Sequence, residues 1–489
     1  MILQRVVDAM LLFVHKAAGV GLRVIEDVLR ASGLDRFIAA SPSALGQRAT
    51  TMEKIIFEYE ATEISRLSKN MPSRKLSVME DETWLGKMHL VGMDAVSGYI
   101  LVEKPAERRD GESWNLAMSH GIEGFPVKII QVTSDEGKGL IHHAKAILGA
   151  HHSPDLFHIQ REISRGMAAA LAAQVRGAEK SVKEALAAVE IARKEQENDA
   201  KKERSSGRPI DWEKRLMTSR EVLQEAKQKL RQTEERQSLF RATIRGISDD
   251  YHPISIDAGV IRTTRDVERC LNERFSILKD LIKMADLPEY SSRALAKAER
   301  VLPSMVATAS FVLGEWERFL ANLGLSFKEV WQIRARLLPA IYLERLANKK
   351  KKTEEKSMLK KVAKNIELAF APESPLHSWT SEERSEILKK CREQVSLFQR
   401  SSSPLEGRNG RLSQIHASGR GLGERTLHAL TVIANFLIER PDGTTAAERF
   451  FGTCPRKMTE WIFSRMPLYA ASRKSALAPM TESLGVLVH

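Results

Sequence analysis

Three short acidic stretches, far apart in the chain, hold the residues best suited to chemistry. They are Met79-Glu80-Asp81-Glu82-Thr83-Trp84, Val132-Thr133-Ser134-Asp135-Glu136-Gly137 and Ser403-Pro404-Leu405-Glu406-Gly407-Arg408-Asn409. Each sets a carboxylate at the edge of a different local pattern: the end of an apolar strand, the end of a second strand, and the first turn of a helix. Hard divalent cations seek oxygen ligands, and two Mg²⁺ (or Mn²⁺) ions offset the repulsion among gathered acids. Asp81, Asp135 and Glu406 are therefore the candidate metal ligands and catalytic residues. The chemistry they suit is in-line displacement at a phosphodiester.

Each acid has a plainer alternative. Strand alternation sends Glu80 and Glu82 to one face and Asp81 to the other. Asp94, at the end of the next strand, is a rival to Asp81. Asp135 precedes a Gly-rich turn, where an aspartate ordinarily caps a helix. Glu406 has a rival in Glu448, but Thr445-x-x-Glu448 reads as a capping box. Asn409 falls one turn after Glu406, on the same helix face.

The elements that must position these residues follow from periodicity. Up to residue 75 the pattern is helical: Leu22, Ile25, Val28 and Leu29 recur at helical spacing, Gly33 closes that helix, and Ser41-Pro42 opens another. Two short helices joined by a tight turn suit a helix-turn-helix that reads DNA, or a plain packing unit. From Leu76 the period becomes that of strands. Leu76–Trp84, Met88–Ala95 and Tyr99–Glu103 form a tight meander, and Val127–Val132 is a fourth strand after a helix around Trp114. A mixed α/β sheet is expected. From Ile159 to Arg400 the pattern is helical again. Leu216, Leu223 and Leu230, seven apart, predict an antiparallel coiled-coil hairpin broken at Ser205–Pro209. Trp316 and Trp331 fall on apolar faces and are expected in the core, with stacking on a flipped DNA base as the functional alternative.

Composition narrows the partners. The chain has 489 residues and a net charge of +13, from 76 basic against 63 acidic residues. That balance suits a polyanion, because each neutralised phosphate releases condensed counterions. The run Lys349–Lys352 reads as a phosphate contact or a solvated loop. Three isolated cysteines without ligand spacing argue against a disulfide framework or a zinc site. No apolar stretch reaches the length of a membrane span. A cytoplasmic protein with access to DNA and no membrane partner is expected.

Residues Ser77 to Asp135 resemble the catalytic core of retroviral integrases and DDE transposases. Asp81-Glu82-Thr83, Gly86-Lys87, the apolar His89-Leu90-Val91 and Ser97-Gly98-Tyr99-Ile100 match the first part of that pattern. Val132-Thr133-Ser134-Asp135-Glu136-Gly137 matches the second, and the serine-rich approach to Glu406 with Asn409 matches the third. Asp155-Leu156-Phe157-His158 resembles the Asp-x-x-His motif of cut-and-paste transposases. The tail from Arg440 to Phe451 looks like the end of bacterial insertion-sequence transposases. The 270 residues between Asp135 and Glu406 (136–405) depart from a compact integrase and fit a helical insertion.

The resemblance implies a ribonuclease-H-like mixed sheet interrupted by an all-α insertion. Its parts are an N-terminal helical region (1–75), the first part of the core (76–158), the insertion (159–400), and the rest of the core with a helical tail (401–489). It further implies a Mg²⁺-dependent transposase whose two ions are held by Asp81, Asp135 and Glu406, with His158 and Asn409 as accessories. Its partners would be double-stranded DNA, as element ends and target, and a second copy of the chain in a homodimer or higher oligomer. A ribonuclease-H-like nuclease or resolvase without strand transfer, and an inactive DNA-binding scaffold derived from a transposase, are the alternatives.

Overall fold

A computed structural model describes residues 2–201, 210–348, 352–418 and 422–468. The breaker at Ser205–Pro209 and Lys349–Lys351 lie outside them. The chain divides into two compact units, one formed by 1–152 and 402–489, the other by 153–401.

In the first unit, α1 (Ile2–Ala9), α2 (Leu22–Ala31) and α3 (Pro42–Ser68) lead into β1 (Arg74–Trp84), β2 (Met88–Asp94) and β3 (Ile100–Pro105). Ser41 caps α3 by accepting the Ala44 N–H, with Pro42 in its first turn. Gly33 takes the left-handed conformation just past α2, where a side chain would be strained. Next come α4 (Gly111–Gly121), β4 (Val127–Ser134), the one-turn α5 (Lys138–His142) and β5 (His151–Pro154). The fifth strand has no counterpart among the expected elements. Its four residues, His-His-Ser-Pro, are too short and too polar to show a strand period.

The five strands form one sheet in the order β3-β2-β1-β4-β5. β2 runs antiparallel to β1 and β3, while β4 runs parallel to β1. The fold is thus mixed α/β, as expected. Cross-strand register separates the two sheet faces. Met79, Val91, Met93 and Ile100 cluster on one face with Leu405. Val78, Leu90, Val102, Trp114 and Met118 belong to the larger core. That core also takes in Leu11, Ile25, Leu45, Met52 and Tyr59, so the N-terminal helices bury their apolar faces together with the sheet. Asp8 and Arg48 are buried among them as a two-pronged ion pair at 2.6 and 2.7 Å.

The chain returns to this unit as α15 (Ser403–Ala417), α16 (Glu424–Phe436), α17 (Ala446–Phe451) and α18 (Met458–Arg465). On α15, Leu405, Asn409, Leu412 and Ile415 are buried, at the spacing of one helix face.

The second unit is helical: α6 (Leu156–Ala200), α7 (Trp212–Asp250), α8 (Thr264–Met284), α9 (Glu289–Glu299), α10 (Leu302–Ala321), α11 (Phe327–Gln332), α12 (Leu338–Ala347), α13 (Lys352–Ala369) and α14 (Ser381–Ser396). α6 and α7 run antiparallel, since Gln160 donates to the Ile244 carbonyl at one end and Trp212 to Asp199 at the other. Ala178, Ala185 and Ala192 are the buried positions of α6 along this pair, and their small size lets the helices approach closely. Trp316 is buried in the helical core, as expected, with its ring N–H donating to the Gln394 carbonyl. Trp331 is not: it is 47% exposed. Helical spacing alone put it on an apolar face, but its helix, α11, has no buried residue. Among the described residues, no helix is long and apolar enough to cross a membrane.

Candidate functional site

β1 and β4 pair in parallel, with Val78 beside Val132 and Met79 beside Thr133. The pairing ends there: Asp81 stands two residues further along β1, and Asp135 directly follows the end of β4 at Ser134. From β1 the chain builds β2 and β3 on one side, then returns to lay β4 on the other. Such a reversal of strand order leaves a crevice at the carboxyl ends, where open α/β sheets hold their ligands. Of the three acids singled out from the sequence, Asp81 thus lies on β1, and Asp135 just past the end of the strand that pairs with it.

The third is carried by α15. Asn409, buried, donates from Nδ2 to Asp81 Oδ2 at 2.7 Å. Asp81 Oδ1 also accepts the Glu82 N–H at 2.9 Å. One turn before Asn409, Glu406 is half-buried on the same helix. Arg408 fixes the helix further. Its Nε and Nη2 donate to the two oxygens of Glu103 at 2.8 and 2.6 Å, and Thr431 Oγ1 donates to the same carboxylate at 2.5 Å. Glu103 pairs with Val91, and Val91 with Asp81, so all three point to one sheet face. α15 therefore lies across β1, β2 and β3 on the Asp81 side.

Asp135 has a capping function as well, because its Oδ1 accepts the Gly137 N–H at 2.9 Å. It also crowds its neighbours. Burial raises the Glu82 carboxyl above its ordinary value, and the charge of Asp135 raises it further against Trp114 and Arg109. Glu136 is raised by burial, with Asp135 adding to it against Lys145. The Asp135 charge thus acts on two neighbouring carboxyls, a setting that favours a cation.

The predicted alternation holds. Glu80 and Glu82 turn to the face opposite Asp81, where Glu82 accepts the Trp114 ring N–H at 3.3 Å. Glu80 meets His143 Nδ1 at 3.0 Å, both side chains wholly buried. Burial raises the Glu80 carboxyl and His143 opposes it. Under Asp135, Ser134 Oγ lies 3.0 Å from His152 Nε2 and donates to the Asp135 carbonyl at 3.1 Å. Burial, helped by Lys145, lowers His152 to about 4, which keeps its imidazole neutral at neutral pH. The sequence reading passed over Glu103, Arg408, His143 and His152. No local signal pairs Glu103 with Arg408, which lie 305 positions apart.

The rival acids have structural explanations. Asp94 accepts both the backbone N–H (2.9 Å) and the hydroxyl of Ser97, closing the β2–β3 turn. Thr445 Oγ1 accepts the Glu448 N–H at 3.1 Å, so that motif starts α17. In the helical unit, Asp155 caps α6 by accepting the Phe157 N–H, and His158 Nε2 lies 3.8 Å from its other oxygen. The Asp-x-x-His motif is thereby a helix start whose two polar residues face each other.

The all-oxygen donors Asp81, Asp135 and Glu406 fit a hard cation in chemical type. Asp81 is on β1, Asp135 follows the neighbouring β4, and Glu406 is on the helix whose next turn bonds Asp81 through Asn409. Among the described residues, however, no three His, Cys, Asp or Glu side chains are gathered as a metal-ligand set.

Residues 333–478 match the signature of DUF6399, a family of unknown function. The matched stretch includes α15 with Glu406, Arg408 and Asn409. No curated protein matches the chain.

Proposed function

We propose that this chain is a DDE-type DNA transposase, a metal-dependent polynucleotidyl transferase on a ribonuclease-H-like core. One observation carries the reading. The sheet order sets β1 beside β4, and Asn409 of the Glu406 helix bonds Asp81 across 328 positions of sequence. The first and third motifs meet through this bond, and the second follows the strand that pairs with β1.

In this reading Asp81, Asp135 and Glu406 would hold two Mg²⁺ ions, which would supply activation of the attacking oxygen and stabilisation of the leaving oxygen. Asn409 fixes the rotamer of Asp81, and the Arg408–Glu103 pair fixes the helix that presents Glu406. His152 and Ser134 support the backbone at Asp135. The excess basic charge supplies contacts to DNA phosphates. Joining two element ends to one target calls for two copies of the chain.

The test is Asp135→Asn. Removing one carboxylate charge is expected to abolish Mg²⁺-dependent cleavage of supercoiled plasmid while leaving the affinity for DNA within about twofold, because phosphate contacts are untouched. Metal-dependent cutting retained by Asp135→Asn would overturn the assignment. Cutting by the native chain without joining of 3′ ends to a target plasmid would reassign it as a nuclease.

A further inference from the structure

Helix α7 carries its cations in an order that the fold does not call for. Leu216, Leu223 and Leu230 set a seven-residue repeat along it. In that repeat Arg220, Lys227 and Arg241 share one position, and Arg231 and Arg245 share the neighbouring one round the helix. All five side chains are exposed. They line one flank, within roughly a quarter of the circumference and over about 37 Å of helix.

This arrangement costs the free helix stability. Lys227 and Arg231, and again Arg241 and Arg245, stand four residues apart, the spacing at which like charges repel on a helix surface. Elsewhere in the helical unit that spacing joins opposite charges, as in Lys180–Glu184, Arg269–Glu273 and Lys390–Glu386. Glu234 and Glu235 lie within about a turn of Arg231, yet no side chain of the five makes an ion pair, hydrogen bond or ring contact among the described residues. A polyanion bound along the flank would offset the repulsion that the fold leaves in place.

The rest of the flank selects the kind of polyanion. Between Arg220 and Arg245 the same two positions of the repeat otherwise hold Gln224, Glu234 and Ser238. None is apolar, unlike the buried side of a membrane-surface helix, and none is aromatic, unlike a platform for single strands. The length of the run is close to one turn of duplex DNA, about 34–36 Å.

We propose that this flank of α7 grips duplex DNA by its phosphates over about one turn, without reading its sequence. The inference rests on the transposase reading and adds to it a named DNA contact in the helical unit, a different unit from the one that carries Asp81, Asp135 and Glu406.

The test measures binding alone, in EDTA, so that chemistry does not enter. The probes are two fluorescent blunt duplexes of about 30 base pairs and unrelated sequence, each long enough for more than one turn. Lys227→Gln/Arg231→Gln/Arg241→Gln is expected to lower the slope of log affinity against log salt by about two to three, equally for both duplexes. Lys180→Gln/Lys214→Gln/Lys229→Gln removes the same charge from exposed positions elsewhere on α6 and α7, and should change the slope by less than about one. Without DNA the flank triple should melt no lower than the native chain, because glutamine keeps the helix propensity and both repelling pairs are gone. Equal slopes for the two triples, or a lower melting point for the flank triple, would overturn the flank proposal and leave the transposase reading standing. Failure of the native chain to bind either duplex would overturn both.

Discussion

The Arg408–Glu103 pair is where packing and the proposed chemistry meet, so Arg408→Met is the informative perturbation. Glu103 has no exposed side-chain surface and Arg408 about one-tenth. Removing the guanidinium strands a buried carboxylate, a change that costs about 3–5 kcal/mol. Thr431 still donates to Glu103, which offsets about 1 kcal/mol of that. The apolar contacts of Leu405 and Leu412 are unaffected, so a loss of about 3 kcal/mol is expected. Amide exchange of β3 and α15 is the suitable assay, because it reads the sheet unit without interference from unfolding of the helices. The double variant Glu103→Leu/Arg408→Met removes both charges and should recover to within about 1 kcal/mol of the native chain. Thr431 keeps a partner there, since its hydroxyl also donates to the Leu427 carbonyl. A single-variant cost below about 1 kcal/mol, or a double variant no better than the single, would refute the claim that this pair pins the Glu406 helix.

Gly139→Ala drives a Cβ into the Arg109 carbonyl and should destabilise the sheet unit by at least about 1 kcal/mol in thermal unfolding, whereas Gly407→Ala, with nothing within 4 Å, should be neutral or stabilising. His428 is held above its ordinary 6.5 by its 2.6 Å bond to Glu60, despite partial burial. Because the folded value is raised, its stabilisation is complete below about pH 6.5 and is lost as pH rises through the raised value. Stability of the sheet unit should therefore decline across that interval, and Glu60→Gln should remove that part of the slope; identical slopes would refute it. A fragment of residues 153–401 carries its own apolar clusters and should show a helical circular dichroism spectrum with cooperative melting, which a non-cooperative melt would contradict.

Local features were legible because their causes are local. Ser41-Pro42 starts a helix, and Gly33 ends one, through backbone geometry that a few residues control. The strand period over Leu76–Trp84 sent Glu80 and Glu82 to one face and Asp81 to the other, as the register confirms. Seven-residue spacing on α7 announced the helical pair. Trp331 shows the limit: helical spacing tells which residues share a face, not whether another element covers it. β5 shows another, since three polar residues and a proline become a strand only because β4 offers them an edge.

By itself the sequence determined the kinds of elements, their order, the helical nature of the region between Asp135 and Glu406, and an acid at each of three element ends. Only the tertiary structure decided that β4 lies against β1 rather than against β3. It alone decided that Asn409 reaches Asp81 and Arg408 reaches Glu103, across 328 and 305 positions. The reason is physical. Turns, caps and periodicity are settled within a few residues, whereas strand neighbours are chosen by which apolar faces can be buried together. Buried polar groups then take whatever partner that burial brings within hydrogen-bonding distance.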